Sequence, residues 1–362
     1  MDRETIGVEG ARIKGFSEIV GQEAAVGFLK KVVSGTKIPH AYLFTGIAGI
    51  GKTTAALAFA RALNCLDPVD GDGCGRCVPC RQIAGGNFPD LERIRPDGRF
   101  IKIDQIRELT RRIGYKTVSG RYRVSLLEQA GTMTLEAANA FLKTLEEPPP
   151  GNILILDALD KKDLLPTILS RCQRVAFRPV PAKFLAAWLH EVNGVPEKTA
   201  AVLAGLSEGS VGRALRMAGS SELVDRRLDH LQTIMRLPEQ SPTEILTAAA
   251  RYAQQEKKRT GEREDEDEGG LNGVLGLWKT WFRDMLVLRS SGPREVLVLG
   301  DEDGALKKTS ATYTIDGLIE SLLILERAQK DLSRSRNVEL MMETTLLALK
   351  RATLNQSRAG EA

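Results

Sequence analysis

The sequence predicts an α/β domain built on a parallel sheet, followed by a region made only of helices. Three observations carry this. Residues Gly46-Ile47-Ala48-Gly49-Ile50-Gly51-Lys52-Thr53 fit G-x-x-x-x-G-K-[ST] and stand between a strand-like run and a helix-like run. Short apolar runs alternate with helical periodicity as far as about residue 178, the pattern of strands joined by crossover helices. After Pro181 the strand pattern stops and helical spacing alone continues.

Phe16–Glu23 leads into a helix from Gln22 to Ser34, with Ala25, Phe28, Leu29 and Val32 on one face. Ala41–Thr45 is the first strand and Thr54–Leu63 the helix after the glycine loop. In such a loop the glycines let the backbone curl so that successive N–H groups point inward at a phosphate. Lys52 supplies a mobile positive charge for the outer phosphates, and the Thr53 hydroxyl can sit on Mg²⁺. The helix that follows adds its dipole. A nucleotide pocket holding ATP or ADP with Mg²⁺ is therefore expected at Gly46, Gly49, Gly51, Lys52 and Thr53.

Phe88–Ile94 reads as a second strand and Ile103–Ile113 as a helix with Ile103, Ile106, Leu109 and Ile113 inward. Arg107, Arg111, Arg112 and Lys116 surround that helix, and a solvated face and a nucleic-acid contact suit them equally. Tyr122–Leu127 is a third strand, ending at Glu128-Gln129-Ala130. A helix from about Thr134 to Glu147 stops at Pro148-Pro149-Pro150. Asn152–Leu156 is a fourth strand, Leu164–Cys172 a short helix or turn, and Val175–Phe177 a last short strand. Beyond Pro181 come short helices at 183–192, 196–204 and 211–218, then a helical pair over 222–252. The nearly all-polar run 256–270 is expected to be a mobile loop. Val274, Leu277, Trp278, Trp281, Phe282, Met285 and Leu288 step by three and four, a core stripe. Leu318–Leu325 and Val338–Leu349 close the chain with two apolar helices.

A chain of 362 residues, 42% hydrophobic and 27% charged, has room for two or three domains. No apolar run is long enough for a transmembrane helix, and the N-terminal residues lack a secretory pattern, so a cytoplasmic protein is expected. The net charge of +4 permits a local nucleic-acid contact without arguing for one. Four of the five cysteines, Cys65, Cys74, Cys77 and Cys80, cluster with two overlapping C-x₂-C steps. Four thiolates are the ligand set of a closed tetrahedral zinc site. An iron–sulfur cluster and free thiols are the alternatives, and structural zinc is favoured because four sulfurs leave no open position.

Val20-Gly21-Gln22, the glycine loop, the four cysteines, Glu136–Pro149 (E-A-A-N-A-F-L-K-T-L-E-E-P-P) and Leu165–Cys172 (L-P-T-I-L-S-R-C) occur in that order. Together they resemble the AAA+ subunits of the replicative clamp loader of bacterial DNA polymerase III, over roughly residues 12–350. The segment Arg327–Glu343 is similar to that family's collar. The resemblance implies an AAA+ P-loop domain over 1–178 with a zinc module at 65–80. A helical lid domain over 179–221 and an all-α collar domain over 222–362 follow. It implies that Gly21 and Gln22 lie near the adenine, that Arg213 of the lid can reach a phosphate, and that Glu128 sits where the Mg²⁺ carboxylate belongs. It identifies Arg171 as an arginine finger that completes a neighbour's ATP site in trans, with Cys172 a small buried residue beside it. Implied partners are subunits of the gamma/tau and delta types, the sliding clamp and primer–template DNA, with no membrane.

The pattern breaks at three places. An active site of this family ends its third strand in Asp-Glu, where this chain has Glu128-Gln129. Gln129 carries no oxygen of useful basicity, so it cannot serve as general base. After the fourth strand the polar sensor threonines are replaced by Ala158 and Leu159. The lid helix begins Gly209-Ser210-Val211-Gly212-Arg213, without the usual Arg-Asp-Ala-Leu. Slow or absent hydrolysis is therefore expected, as in a non-motor subunit of the assembly, for which no proline-rich or basic extension after residue 362 is expected either. The intact Lys52 and Thr53 support the competing reading, an active gamma/tau-like motor. A zinc-containing helicase-like ATPase is a third, disfavoured because Cys74–Cys80 carries only Arg76 and Arg81 beside the metal set.

Overall fold

The computed structural model describes residues 15–219, 221–259, 270–293, 296–299, 302–332 and 337–354. The loop expected at 256–270 is corrected at its start, where residues 256–259 continue the helix Pro242–Arg259 because that helix runs on into the polar stretch, while 260–269, with the acidic part at 262–268, lie outside the described residues. The chain forms two compact units, Met1–Leu185 with Glu208–Gly212, and Ala186–Ser207 with Arg213–Ala362.

The first unit is a three-layer α/β domain. Its elements run α1 (Glu23–Ser34), β1 (Ala41–Thr45), α2 (Lys52–Asn64), α3 (Val78–Ala84), β2 (Leu91–Ile94), α4 (Ile103–Ile113), β3 (Arg123–Leu127), α5 (Leu135–Glu146), β4 (Asn152–Ala158), α6 (Pro166–Leu169) and β5 (Gln173–Ala176). The strands are all parallel in the order β2-β3-β4-β1-β5. The three central strands are buried almost throughout, while β2 and β5 are short and partly exposed, as suits edge strands. Continuous apolar runs such as Ile153-Leu154-Ile155-Leu156 form central strands because helices cover both faces.

Two helices show how the sequence sets local structure. α2 is rich in alanine, a strong helix former whose small side chain lets the helix lie close to its neighbours, and its residues from Ala55 to Asn64 are buried. Tyr42 of β1 meets Phe59 of α2 edge to face, centroids 5.1 Å apart. α5 starts where Thr134 accepts a hydrogen bond from the Ala137 N–H at 3.2 Å, an N-cap. It buries Ala137, Ala138, Phe141 and Leu145 and stops short of Pro148. The sequence reading assigned no helix to 78–84, yet α3 forms there with Pro79 in its first turn, where the missing N–H costs nothing.

Among the described residues, the regular elements of the second unit are all helices. Most of α7 (Ala182–Asn193) and α8 (Glu197–Leu206) belong to it, as do α9 (Val211–Ala218) from Arg213 on, α10 (Ser221–Met235), α11 (Pro242–Arg259), α12 (Leu271–Arg289), α13 (Asp303–Ser310), α14 (Ile315–Leu332) and α15 (Val338–Leu354). The expected stripe on α12 is its core: Val274, Leu277, Trp278, Trp281, Phe282 and Met285 are all buried. Trp278 donates its indole N–H to the His230 carbonyl at 2.8 Å and meets Tyr252 edge to face at 5.4 Å. Among the described residues, no helix is long and apolar enough to cross a membrane.

Candidate nucleotide loop and cysteine cluster

The carboxyl ends of the strands place the candidate site, as in other open parallel sheets. β1 ends at Thr45, β3 at Leu127 and β4 at Ala158, and the loop Gly46–Gly51 leaves β1 there. Gly46 has φ 152°, and a Cβ on it would meet the Phe177 carbonyl at 2.8 Å. Gly51 caps α2 at φ 104°, in the left-handed region that a side chain disfavours. Gly49 lies between them, and its carbonyl accepts from the Gly212 N–H at 2.8 Å. Ser210 likewise donates its hydroxyl to the Ala48 carbonyl at 2.9 Å. The segment 208–212 thus straps the loop, a contact with no signal in the sequence.

Lys52 is buried, and its ammonium donates to the carbonyls of Gly46 and Ile47 at 2.7 and 3.0 Å. Its third partner is a carboxylate that sequence reasoning missed. Asp157, on β4 opposite Phe44 of β1, places Oδ1 3.4 Å from the Lys52 Nζ. Thr53 points its hydroxyl at the other oxygen of the same carboxylate, 3.5 Å away. Burial pushes the Asp157 carboxyl up from its ordinary value, and the Lys52 charge opposes that shift. Burial likewise pulls the Lys52 ammonium down, and Asp157 opposes it.

Glu128, the expected Mg²⁺ carboxylate, is engaged elsewhere: Arg93 and Arg95 each direct Nε at its Oε1, at 2.6 and 3.1 Å. Gln129 is exposed with φ 53°. Ala158 is buried at the end of β4 and Leu159 is largely exposed. Gln22 is buried and clamps the backbone of Arg178, donating to its carbonyl at 2.7 Å and accepting from its N–H at 2.9 Å; Gly21 packs against Val180. Arg213 is the next residue after the strap and belongs to the second unit.

Arg171 follows α6 at the surface. It reaches Glu146 at 2.5 Å and donates to the Thr167 carbonyl at 2.9 Å and the Ser170 hydroxyl at 3.2 Å. Both members of the ion pair are solvent-accessible, so the pair is weak and exchangeable. Beside it, burial pushes the Cys172 thiol up to about 11. On α4, Arg107 pairs with Asp104, Arg111 with Glu108, and Arg112 with Glu108 and Glu92, which is the behaviour of a solvated face.

At the far end of α2 the four cysteines come together. Their sulfurs all lie within 4.8 Å of one another, with Cys65 and Cys77 3.9 Å apart. The edge of a tetrahedron with Zn–S bonds of about 2.3 Å is about 3.8 Å, so the set could hold a zinc ion. Backbone N–H groups are aimed at the sulfurs: Cys74 donates to Cys65 at 3.1 Å and Cys77 to Cys74 at 3.4 Å. The N–H groups of Arg76 and Cys77 draw the Cys74 thiol down to about 6, while burial pushes the Cys80 thiol up. Arg61 of α2 ties the cluster to the domain, its Nη2 3.3 Å from Asp72 and 3.1 Å from the Gly73 carbonyl. Asp72 in turn accepts from the Phe16 and Gly73 N–H groups at 2.8 and 2.6 Å.

The family model described as DNA polymerase III, delta subunit, matches residues 21–181. The DNA polymerase III subunit delta' of Bacillus subtilis is 29% identical over 313 residues, 86% of this chain and 91% of its own length. The subunit tau/gamma of Haemophilus influenzae is 37% identical over 211 residues, 57% of this chain, and the match spans only 30% of that relative. Among solved structures, a gamma-subunit-related protein from Thermotoga maritima is 19% identical, covers 90% of this chain and 99% of its own, and gives a TM-score of 0.44.

Proposed function

We propose that the chain is a delta-prime-type subunit of the DNA polymerase III clamp loader, on the family-model match and the similarity to a delta' subunit, and that it acts as a non-motor subunit in loading a sliding clamp onto primed DNA. The observation that carries the non-motor reading is the end of β3. Gln129 has no basic oxygen with which to activate water, and the Glu128 carboxylate is engaged by two arginines. Lys52, Thr53 and the N–H groups of Gly49 and Gly51 support a pocket for ATP or ADP with Mg²⁺, with slow or absent turnover, the Gly46 N–H being given to the Ala158 carbonyl at 3.3 Å.

In this reading Arg171 is the catalytic contribution, made in trans. A planar guanidinium that stays charged suits the γ-phosphate of a neighbour, and leaving Glu146 gives up little. The neighbours are gamma/tau-type and delta-type subunits, with the clamp and primer–template DNA as the substrates of the whole assembly. The cysteine cluster holds structural zinc; four sulfurs leave the metal no open position for chemistry.

The test is a steady-state ATPase assay on the protein alone and after reconstitution with its partner subunits. The isolated protein should not turn over above background. Arg171→Ala should leave assembly intact and lower the rate at the affected site by on the order of 10³-fold. The motor reading is favoured by the intact Lys52 and Thr53 and by the 37% identity to a tau/gamma subunit. Robust turnover by the isolated protein that vanishes on Lys52→Ala would establish it and overturn the non-motor reading.

A further inference from the structure

The ammonium of Lys52 has three N–H groups, and protein atoms face all three: two loop carbonyls and the Asp157 carboxylate. The Thr53 hydroxyl points to that same carboxylate. The two side chains that the loop motif provides for phosphate and Mg²⁺ therefore converge on one internal anion. Asp157 is fixed there by the sheet, since β4 is buried along its length and the register sets Asp157 opposite Phe44, with Ala158 opposite Thr45, the last residue before the loop. Arg93 and Arg95 engage the Glu128 carboxylate at the end of β3.

We propose that Asp157 is an internal counter-anion of the phosphate loop, which competes with the nucleotide's phosphates for Lys52 and Thr53 and so sets the pocket's affinity low. The proposal rests on the reading of Gly46–Thr53 as a nucleotide site. A polyphosphate entering the loop must displace the carboxylate from Lys52 or sit beside it. The first breaks a buried ion pair, and the second places like charges a few ångströms apart where little water screens them. Either way the penalty comes from the aspartate's charge and not from its shape. Asparagine is nearly isosteric, keeps an oxygen for the Thr53 hydroxyl and removes the charge.

Calorimetric titration of the full chain with ADP, with Mg²⁺ and again with EDTA, tests this on the wild type, Asp157→Asn, Asp157→Ala and the double variant Asp157→Asn/Lys52→Ala. The expected result is binding on the order of tenfold tighter in Asp157→Asn than in the wild type, in both metal conditions, with the gain abolished by Lys52→Ala. A gain of affinity cannot arise from damage to the fold, and Asp157→Ala should show it too. Equal binding by the wild type and Asp157→Asn would remove the counter-anion and leave the nucleotide site standing. Weaker binding confined to the Mg²⁺ condition would make Asp157 a metal ligand and overturn the proposal. No binding of ADP or inorganic pyrophosphate by any variant would overturn both the proposal and the nucleotide reading.

Discussion

The two ends of α2 treat charge in opposite ways. At its start, the cation of Lys52 already has an anion, Asp157, built into the sheet. At its end, Cys65 and three further sulfurs converge on one point, and backbone N–H groups face them. The cysteine cluster is a set of donors that could hold an outside cation, whereas the cation of the glycine loop is already met by the protein itself. Both carry an intact motif, so a motif establishes which atoms are present and not whether they are free to act. Availability is decided by neighbours that arrive from distant strands.

The largest effect that sharpens this contrast is metal removal. The purified chain should carry one zinc per molecule by atomic emission. Chelation or Cys80→Ser should lower Tm by about 10 °C, the shift expected when a few kcal/mol is lost from a domain of this size. An unchanged Tm after complete metal loss would mean that the sulfurs do not depend on an outside cation, and the contrast between the two ends would fail.

Arg61→Ala should act at one end of the helix alone. The guanidinium is nearly inaccessible and joins α2 to Asp72 and Gly73 of the cysteine module, so its loss leaves Asp72 without its counter-ion. The expected destabilisation is about 2–3 kcal/mol by urea unfolding, short of the loss for a pair buried on both sides because Asp72 is partly exposed. Nine residues separate Arg61 from Lys52, about 14 Å along a helix, so ADP affinity should stay within about twofold. A large change in affinity would mean that the two ends are coupled through α2.

What the sequence made legible follows the same division. The loop, the cysteine spacing, the limits of α4 and the α12 stripe are local patterns, set by residues within a few turns of one another, and each stands in the structure where the spacing placed it. The contacts that decide availability are long-range. Asp157 lies 104 positions from Thr53, and Gln22 lies 156 from the Arg178 backbone it clamps. Sequence reading treated 156–160 as a stretch that had lost its polar sensors. Its one buried acid gains meaning only when β1 and β4 pair in parallel. The resemblance places Gln22 near an adenine; in the structure its side-chain amide is engaged on both sides by the backbone N–H and C=O of Arg178. Helix α3, with Pro79 compatible in its first turn, spans only seven residues, too few for helical periodicity to stand out.

The smallest expected effect comes from the carboxylate that sequence reading favoured. Glu128→Gln removes a charge that Arg93 and Arg95 already neutralise. Those arginines are 36% and 55% exposed, so solvent takes up most of their released charge. The affinity for ADP with Mg²⁺ should therefore move by no more than about twofold, against the roughly tenfold gain expected for Asp157→Asn. A metal-bound glutamate would behave differently, because the amide would weaken binding only when Mg²⁺ is present. Titration of Glu128→Gln with and without EDTA separates the two cases. A loss above about tenfold confined to the Mg²⁺ condition would return Glu128 to the metal and make its arginine contacts a resting arrangement that nucleotide displaces.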